Sequence, residues 1–116
     1  MRALEMSKRV VKVGFEWPTV GEVLDKVEEE IRELRAEIAR GETARAADEL
    51  GDLLFTLVNV ARHLKIDPED ALRRMTQRFA ARFRRIEQHA ADTGRAVSGL
   101  SLDEMEAVWQ AAKGEE

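Results

Sequence analysis

Two pairs of carboxylates placed symmetrically about a glycine constrain how this chain can fold. Glu33 precedes Gly41 by as many residues as Glu49 follows it, and Glu30 and Asp52 are likewise equally distant from that glycine. Gly41 separates two stretches in which apolar residues recur every three or four positions, as on one face of a helix. Two helices that fold back at Gly41 would bring Glu33 level with Glu49 and Glu30 level with Asp52. We therefore predict an antiparallel helix pair with four facing carboxylates.

The remaining start and stop signals predict an all-α chain. Thr19 and Ser101 each begin a capping box, and Asp67 followed by Pro68 is a third helix start. Gly14 to Pro18 interrupts any helix, so none is predicted before residue 19. The predicted helices cover about 19–40, 43–65, 68–93 and 102–113, within one domain spanning 1–116. The second is apolar on most of its circumference, which indicates burial against a partner subunit as well.

Composition excludes several classes of function. The net charge of −4 argues against binding to a nucleic-acid polymer. No apolar run is long enough for a membrane span, and the N-terminal residues lack the apolar segment of a signal peptide. Cysteine is absent, which rules out disulfides and thiolate metal sites and is compatible with the cytoplasm. We expect a cytoplasmic protein that binds neither membranes nor nucleic-acid polymers.

Four converging carboxylates point to a metal ion. Such anions repel one another unless a cation lies among them, and oxygen ligands select Mg²⁺ or Mn²⁺ over zinc. A solvated helix face is the simpler alternative and suits the acidic run 28–30, but Glu49 and Asp52 interrupt an apolar helix, where an unpaired carboxylate is costly. Di-iron bundles require Glu-x-x-His, a spacing that neither His63 nor His89 provides. We predict a redox-silent site for a hard cation.

A basic segment supplies candidate phosphate-binding groups. Residues 71–86 contain six arginines and no acid, and Arg74, Arg78 and Arg82 repeat at four-residue spacing on one helix face. Guanidinium groups match phosphate oxygens, so Arg78 and Arg82 are candidates for binding a polyphosphate, with a salt-bridged face as the alternative. Asn59 could bind a base edge or tie helices together. Trp17 and Trp109 could stack on a base or belong to the core.

Several motifs resemble those of a known family. Residues 29–33 read EExxE and residues 49–52 read ExxD, which together are similar to the signature of the all-α nucleoside triphosphate pyrophosphohydrolases. Further blocks resemble the catalytic C-terminal domain of MazG over about residues 8–113; they are 13–20 (VGFEWPTV), 24–27 (LDKV), 48–55 (DELGDLLF), 58–64 (VNVARHL) and 106–110 (EAVWQ). The resemblance implies a four-helix-type bundle, assembled as a homodimer or a dimer of dimers. It also implies Mg²⁺-dependent hydrolysis of an NTP or dNTP at the α-phosphorus, giving the monophosphate and pyrophosphate, with Mn²⁺ as a possible substitute.

The same resemblance implies roles for individual residues. The metal ligands would be Glu30, Glu33, Glu49 and Asp52. The catalytic residues would be Lys26, Glu29 and Glu30, one of the two glutamates orienting or deprotonating the attacking water. The residues expected to bind substrate, including Asn59 from its place on the second helix, are Lys26, Glu29, Arg45, Asp48, Asp52, Asn59, Arg78, Arg82 and Trp109.

Two departures from the family and several alternatives qualify these roles. MazG can have two domains, whereas this chain matches one, so it is either a stand-alone homologue or part of a longer chain. Ala80 and Ala81 lie in the basic segment where relatives can carry charge, which bears on phosphate affinity. The alternatives are a narrow dUTPase- or dCTPase-like enzyme, a helical interaction module with a vestigial metal site, and, least favoured, a di-metal oxidoreductase. The cellular roles compatible with such an activity are clearing damaged nucleotides and lowering the pools of signalling nucleotides.

Overall fold

Five α-helices make up the described part of the chain, in a computed structural model that describes residues 2–12, 14 and 16–116. The helices are α1 (Ala3–Val11), α2 (Val20–Ala39), α3 (Thr43–His63), α4 (Pro68–Asp92) and α5 (Leu102–Gly114), with a 3-10 turn at Val97–Gly99. No strand occurs in these residues, so the all-α prediction is confirmed. Val13 and Phe15, within one block of the family resemblance, lie outside the described residues, as does Met1. None of the described helices is long and apolar enough to cross a membrane.

The predicted helix starts are present as side-chain caps. The Thr19 hydroxyl accepts a hydrogen bond from the backbone N–H of Glu22 at 3.2 Å, and the Ser101 hydroxyl accepts one from the N–H of Glu104 at 3.1 Å. Asp67 accepts a bond from the backbone N–H two residues later, at 2.9 Å. These bonds satisfy N–H groups that the first turn of a helix leaves without partners. The starts of α2, α4 and α5 are therefore confirmed.

The turn that joins α2 to α3 is fixed by Gly41. This glycine has φ +69°, a backbone conformation that costs glycine less than any other residue. Its N–H donates to the carbonyl of Ile38, and the N–H of Glu42 donates to the carbonyl of Glu37. This pattern is the Schellman motif, which ends a helix and reverses the chain. It places α3 antiparallel against α2, as the spacing about Gly41 predicted.

Helix α1 was missed by the sequence analysis. It packs on α3 through a polar contact rather than an apolar stripe alone. Ser7 is fully buried, and its hydroxyl donates to the Asn59 side-chain carbonyl and accepts from Arg62 Nε at 2.7 Å. Arg62 in turn donates to the Glu16 carboxylate at 2.6 Å. The bonds that hold α1 come from residues distant in sequence, so local periodicity gave no sign of them.

The chain packs as two units, Met1–Glu69 and Asp70–Glu116. In the second unit, Ile86, Ala90 and Leu100 form a core against which Val97, Met105, Val108 and Trp109 pack. The first unit is different, because four of its five buried residues in the described part of the chain are polar (Ser7, Glu30, Thr56 and Asn59) and the fifth is Val23. Leucines of α3 are instead exposed, with Leu50 at 46%, Leu54 at 56% and Leu57 at 44%. The single domain over 1–116 remains a prediction.

Candidate active site

Three of the four predicted carboxylates line a cleft between α2 and α3. The cleft has a volume of about 240 Å³ and is lined by Lys26, Glu30, Glu33, Asp52, Phe55 and Thr56. Two acidic residues three positions apart lie on the same face of their helix, and in each helix this face is directed toward the other helix. The spacing of the acids predicted this arrangement. The cleft therefore brings Glu30 and Glu33 of the first acidic pair together with Asp52 of the second.

Glu30 is the most buried of these acids, with 2% of its surface exposed. Its Oε1 accepts a hydrogen bond from the Thr56 hydroxyl at 2.6 Å, whereas its Oε2 is buried and has no hydrogen-bond partner in the part of the chain that the structure describes. The contact lies one turn beyond Asp52, the residue expected to be level with Glu30. Side chains lean toward the N-terminus of their own helix, so in an antiparallel pair Glu30 leans toward the later residues of α3.

Glu33 and Glu49 meet across the helix pair. A hydrogen bond to the Glu33 carboxyl raises the pKa of Glu49, and desolvation and the negative charges of Asp52 and Glu30 raise it further. A raised pKa favours the neutral acid, which is how two carboxyls share a proton when no cation separates them. Glu49 Oε2 is also buried. This contact confirms the alignment of Glu33 with Glu49.

The donor atoms suit a hard divalent cation. In the part of the chain that the structure describes, no three acidic or histidine side chains already surround a common point as ligands of one ion. Among the described residues, the buried Oε2 atom of Glu30 in the cleft nevertheless lacks the partner that a buried carboxylate oxygen requires, as do the Oε2 atoms of Glu37 and Glu42 outside the cleft. Mg²⁺ and Mn²⁺ prefer carboxylate oxygens as ligands. The carboxylates of Glu30, Glu33 and Asp52 would become such ligands if their oxygens moved closer together around an ion.

Lys26 and Glu29 lie beside the acids on α2. Lys26 Nζ is 3.4 Å from Glu29 Oε1, and the two side chains are 35% and 49% exposed. Partial burial by itself would lower the pKa of Lys26. The hydrogen bond to Glu29 and the charges of Glu29, Glu30 and Glu33 outweigh burial and raise that pKa. Lys26 is therefore a cation at neutral pH that lines the cleft, and Glu29 is an ionisable group open to solvent.

Two predicted substrate contacts lie near the start of α3 and a third lies in its second half. Arg45 and Asp48 are exposed, and Arg45 Nη1 is 3.5 Å from a carboxylate oxygen of Glu42. Asn59 is buried and accepts the bond from Ser7, so it ties α3 to α1, one of the two roles considered for it. Substrate binding by these residues remains a prediction.

Arg78, Arg82 and Trp109 belong to the second unit. Arg78 is exposed. Arg82 is buried and donates to both oxygens of the Glu116 carboxylate, at 2.7 and 2.6 Å. Its guanidinium also lies 5.2 Å from the centre of the Trp109 ring, which contacts Phe79 edge to face. Trp109 thus packs with the core of this unit, and phosphate binding by Arg78 and Arg82 remains a prediction.

Thr56 is a site residue to which the sequence analysis assigned no role. It follows Asp52 by one helical turn in an otherwise apolar stretch of α3. A hydroxyl at this position on the face of the acids was the available signal. The hydrogen bond from Thr56 to Glu30 depends on the direction in which the Glu30 side chain extends from α2. The spacing of the acids about Gly41 does not show this direction.

The fold and the cleft define an all-helical protein with a carboxylate-lined site, and comparison with known proteins gives its family. Residues 19–86 match the MazG nucleotide pyrophosphohydrolase domain, a range that includes every predicted metal ligand. The chain belongs to this family, which confirms the resemblance seen in the motifs.

Three relatives illustrate the similarity. An Escherichia coli K12 protein named nucleoside triphosphate pyrophosphohydrolase is 44% identical over 118 residues, covering 100% of this chain and 45% of the relative. A Thermotoga maritima protein named nucleoside triphosphate pyrophosphohydrolase/pyrophosphatase MazG is 36% identical over 116 residues, covering 97% and 44%. The uncharacterized protein YabN of Bacillus subtilis is 46% identical over 65 residues, covering 56% and 13%. The chain spans less than half the length of each of these relatives.

Proposed function

We propose that this chain is a Mg²⁺-dependent nucleoside triphosphate pyrophosphohydrolase that attacks the α-phosphorus of an NTP or dNTP. Membership of the MazG family and the names of the E. coli and T. maritima relatives support this activity. The observation that carries it is the cleft itself, which is lined by Glu30, Glu33 and Asp52 and in which Glu30 keeps a buried carboxylate oxygen without a hydrogen-bond partner among the described residues. A cation bound to a polyphosphate would supply that missing partner.

The four acids would hold the metal. Glu30, Glu33, Glu49 and Asp52 supply carboxylate oxygens, and Mn²⁺ is an acceptable substitute for Mg²⁺ with such ligands. When bound, the ion would neutralise phosphate charge and lower the pKa of a coordinated water. Glu30 is better suited to a ligand role than to a base role, because it is buried and Thr56 already holds one of its oxygens.

Glu29 and Lys26 would act on the reactants. Glu29 is exposed beside the acids, so it can orient the attacking water and accept its proton. Lys26 remains charged and would bind phosphate oxygens. Water adds to the α-phosphorus, the bond to the bridging oxygen breaks, and pyrophosphate leaves; the products are a nucleoside monophosphate, pyrophosphate and the proton taken by Glu29. Arg78, Arg82 and Trp109 are proposed as further substrate contacts, by resemblance.

The test is a chromatographic assay of the eight common NTPs and dNTPs with Mg²⁺, in which monophosphate and pyrophosphate are both measured. We expect equal amounts of the two products from at least one nucleotide. Glu49→Gln should abolish turnover, because an amide cannot supply the anionic oxygen that a hard divalent cation prefers. Retained activity of this variant in saturating Mg²⁺ would contradict the ligand assignment, and the substrate pattern would separate a broad enzyme from a dUTPase- or dCTPase-like one.

Glu37→Gln is the matched control for this experiment. Glu37 lies on the same helix as Glu30, and its hydrogen bond to Glu42 raises the pKa of Glu42 much as Glu33 does for Glu49. Glu37 also accepts a bond from Arg40 at 3.3 Å and does not line the cleft. The control therefore removes one acid of a comparable pair and is expected to retain activity.

We also propose a homodimer formed through α3. Polar side chains occupy much of the buried surface of the first unit, while Leu50, Leu54 and Leu57 are about half exposed along one side of α3. An apolar helix face of this kind is stabilised by burial against another apolar face. A second copy of the chain presents the same face, so a symmetric contact would cover both.

A further inference from the structure

Thr56 distinguishes the two oxygens of the Glu30 carboxylate. Its hydroxyl donates to Glu30 Oε1 at 2.6 Å across 26 residues of chain, and both side chains are buried. Glu30 Oε2 has no hydrogen-bond partner among the described residues. Thr56 and Glu30 also line the same cleft as Glu33 and Asp52. One oxygen of Glu30 is therefore held in place, and the other is available to a ligand.

The Thr56 hydroxyl differs from those of Thr76, within α4, and Thr93, just after the end of α4. Thr76 donates to the carbonyl of Leu72, and Thr93 donates to the carbonyl of His89, each four residues earlier. Such a local bond is the common choice for a threonine within a helix. Thr56 instead donates to a side chain on the neighbouring helix. Its hydroxyl is thus committed to the cleft rather than to its own helix.

Water cannot replace either partner of the hydrogen bond between Thr56 and Glu30, because both side chains are buried. Thr56 is 5% exposed and Glu30 is 2% exposed, so loss of the contact leaves a buried polar atom without a hydrogen bond. A hydrogen bond that both partners require restricts the rotation of the Glu30 carboxyl group. This is the way in which residues outside a metal's own ligands commonly orient those ligands.

We infer that Thr56 is a positioning residue that limits Glu30 to a single-oxygen contact with the divalent cation and thereby favours Mg²⁺ or Mn²⁺ over Ca²⁺. The inference rests on the proposed function, because it requires the four-acid metal site. Mg²⁺ demands near-octahedral geometry with few protein ligands, whereas Ca²⁺ takes more oxygens and readily uses both oxygens of one carboxylate. The bond from Thr56 fixes the orientation of the Glu30 carboxyl group and occupies one lone pair of Oε1, which leaves Oε2 as the oxygen with no other partner among the described residues.

The test measures metal binding without substrate. Binding of Mn²⁺ to the full chain is followed by loss of the free-ion EPR signal, with Mg²⁺ and Ca²⁺ as competitors. Thr56→Val keeps the shape of the side chain and removes the hydroxyl. We expect its Mn²⁺ and Mg²⁺ affinities to fall about 10-fold or more, and Ca²⁺ affinity to fall less, so that the Ca²⁺/Mg²⁺ affinity ratio rises. Thr56→Ser, which keeps the hydroxyl, should restore the wild-type ratio.

Two further variants separate positioning from general loss of stability. Ser7→Ala removes another fully buried hydroxyl of the first unit, one bonded to Asn59 and not to Glu30, and should leave the metal affinities unchanged even if the melting temperature falls. If Thr56→Val does not fold, Thr56→Ala makes the same comparison with a strong helix former.

The outcomes distinguish this inference from the function on which it rests. A wild type that binds no Mn²⁺ would contradict the proposed metal site and the role of Thr56 with it. A wild type that binds Mn²⁺, together with a hydroxyl-free variant of equal Mn²⁺ affinity and unchanged Ca²⁺/Mg²⁺ ratio, would overturn the role of Thr56 alone. A changed ratio that serine restores would support it.

Discussion

Truncation of Leu54 tests whether the exposed face of α3 is covered by a second copy of the chain. Complete burial of a leucine side chain is worth about 1.5–3 kcal/mol. Leu54 is 56% exposed, so roughly half of that value, about 1–1.5 kcal/mol, remains to be gained when a partner covers it. In a symmetric dimer the residue occurs twice, and Leu54→Ala should weaken association by about 2–3 kcal/mol.

This free energy corresponds to a roughly 30- to 150-fold increase in the dimer dissociation constant. Sedimentation velocity over a range of protein concentrations would measure it. Leu54→Glu should have a larger effect, because the dimer would then bury two unpaired carboxylates.

Leu102 provides the matched control for Leu54. It is 75% exposed at the start of α5, where acidic residues follow it directly, so it is an isolated surface leucine. Leu102→Ala should leave the dissociation constant unchanged. A monomeric wild type, or a Leu54→Ala dimer as tight as wild type, would refute the dimer through α3.

Two further predictions concern stability. Lys65 follows α3 with φ +58°, so Lys65→Gly should raise the free energy of unfolding by about 1 kcal/mol and increase the melting temperature measured by calorimetry; a lower melting temperature would contradict this. Hydrogen bonds from Arg95 chiefly lower the pKa of Glu104 from 4.5 to about 2. A carboxyl group whose pKa is lower in the folded than in the unfolded chain stabilises the folded state at pH values above the unfolded-state pKa. The free energy of unfolding should therefore fall as the pH drops from about 4.5 toward 2. Glu104→Gln should make acid unfolding, followed by circular dichroism, less steep over this range; an identical profile would contradict the assignment.

Local rules predicted the helix ends and the turn, since each depends on neighbouring residues. Thr19 and Ser101 cap their helices as their sequences indicated, and Gly41 has the positive φ that its position required. The end of α3 was less exact: the helix was expected to reach residue 65, but it ends at His63, and Lys65 adopts a left-handed conformation that glycine would normally provide.

Contacts between distant residues could not be predicted in the same way. Helix α1 is held by the buried hydrogen bond from Ser7 to Asn59. The spacing of apolar residues along the sequence does not predict a contact of this kind. The spacing about Gly41 correctly aligned Glu33 with Glu49, but the side-chain lean that brings Glu30 to Thr56 depends on packing direction. Sequence thus located the acids, and the packed helices revealed which of their oxygens are held and which lack partners.

The central claim, hydrolysis at the α-phosphorus by the acids of the α2–α3 cleft, is tested most directly by the position of oxygen attack. The reaction is run with Mg²⁺ in ¹⁸O-labelled water, with the nucleotide turned over fastest, and both products are analysed by mass spectrometry. We expect one ¹⁸O atom in the nucleoside monophosphate and none in pyrophosphate. Label in pyrophosphate, or release of inorganic phosphate with a nucleoside diphosphate, would contradict it.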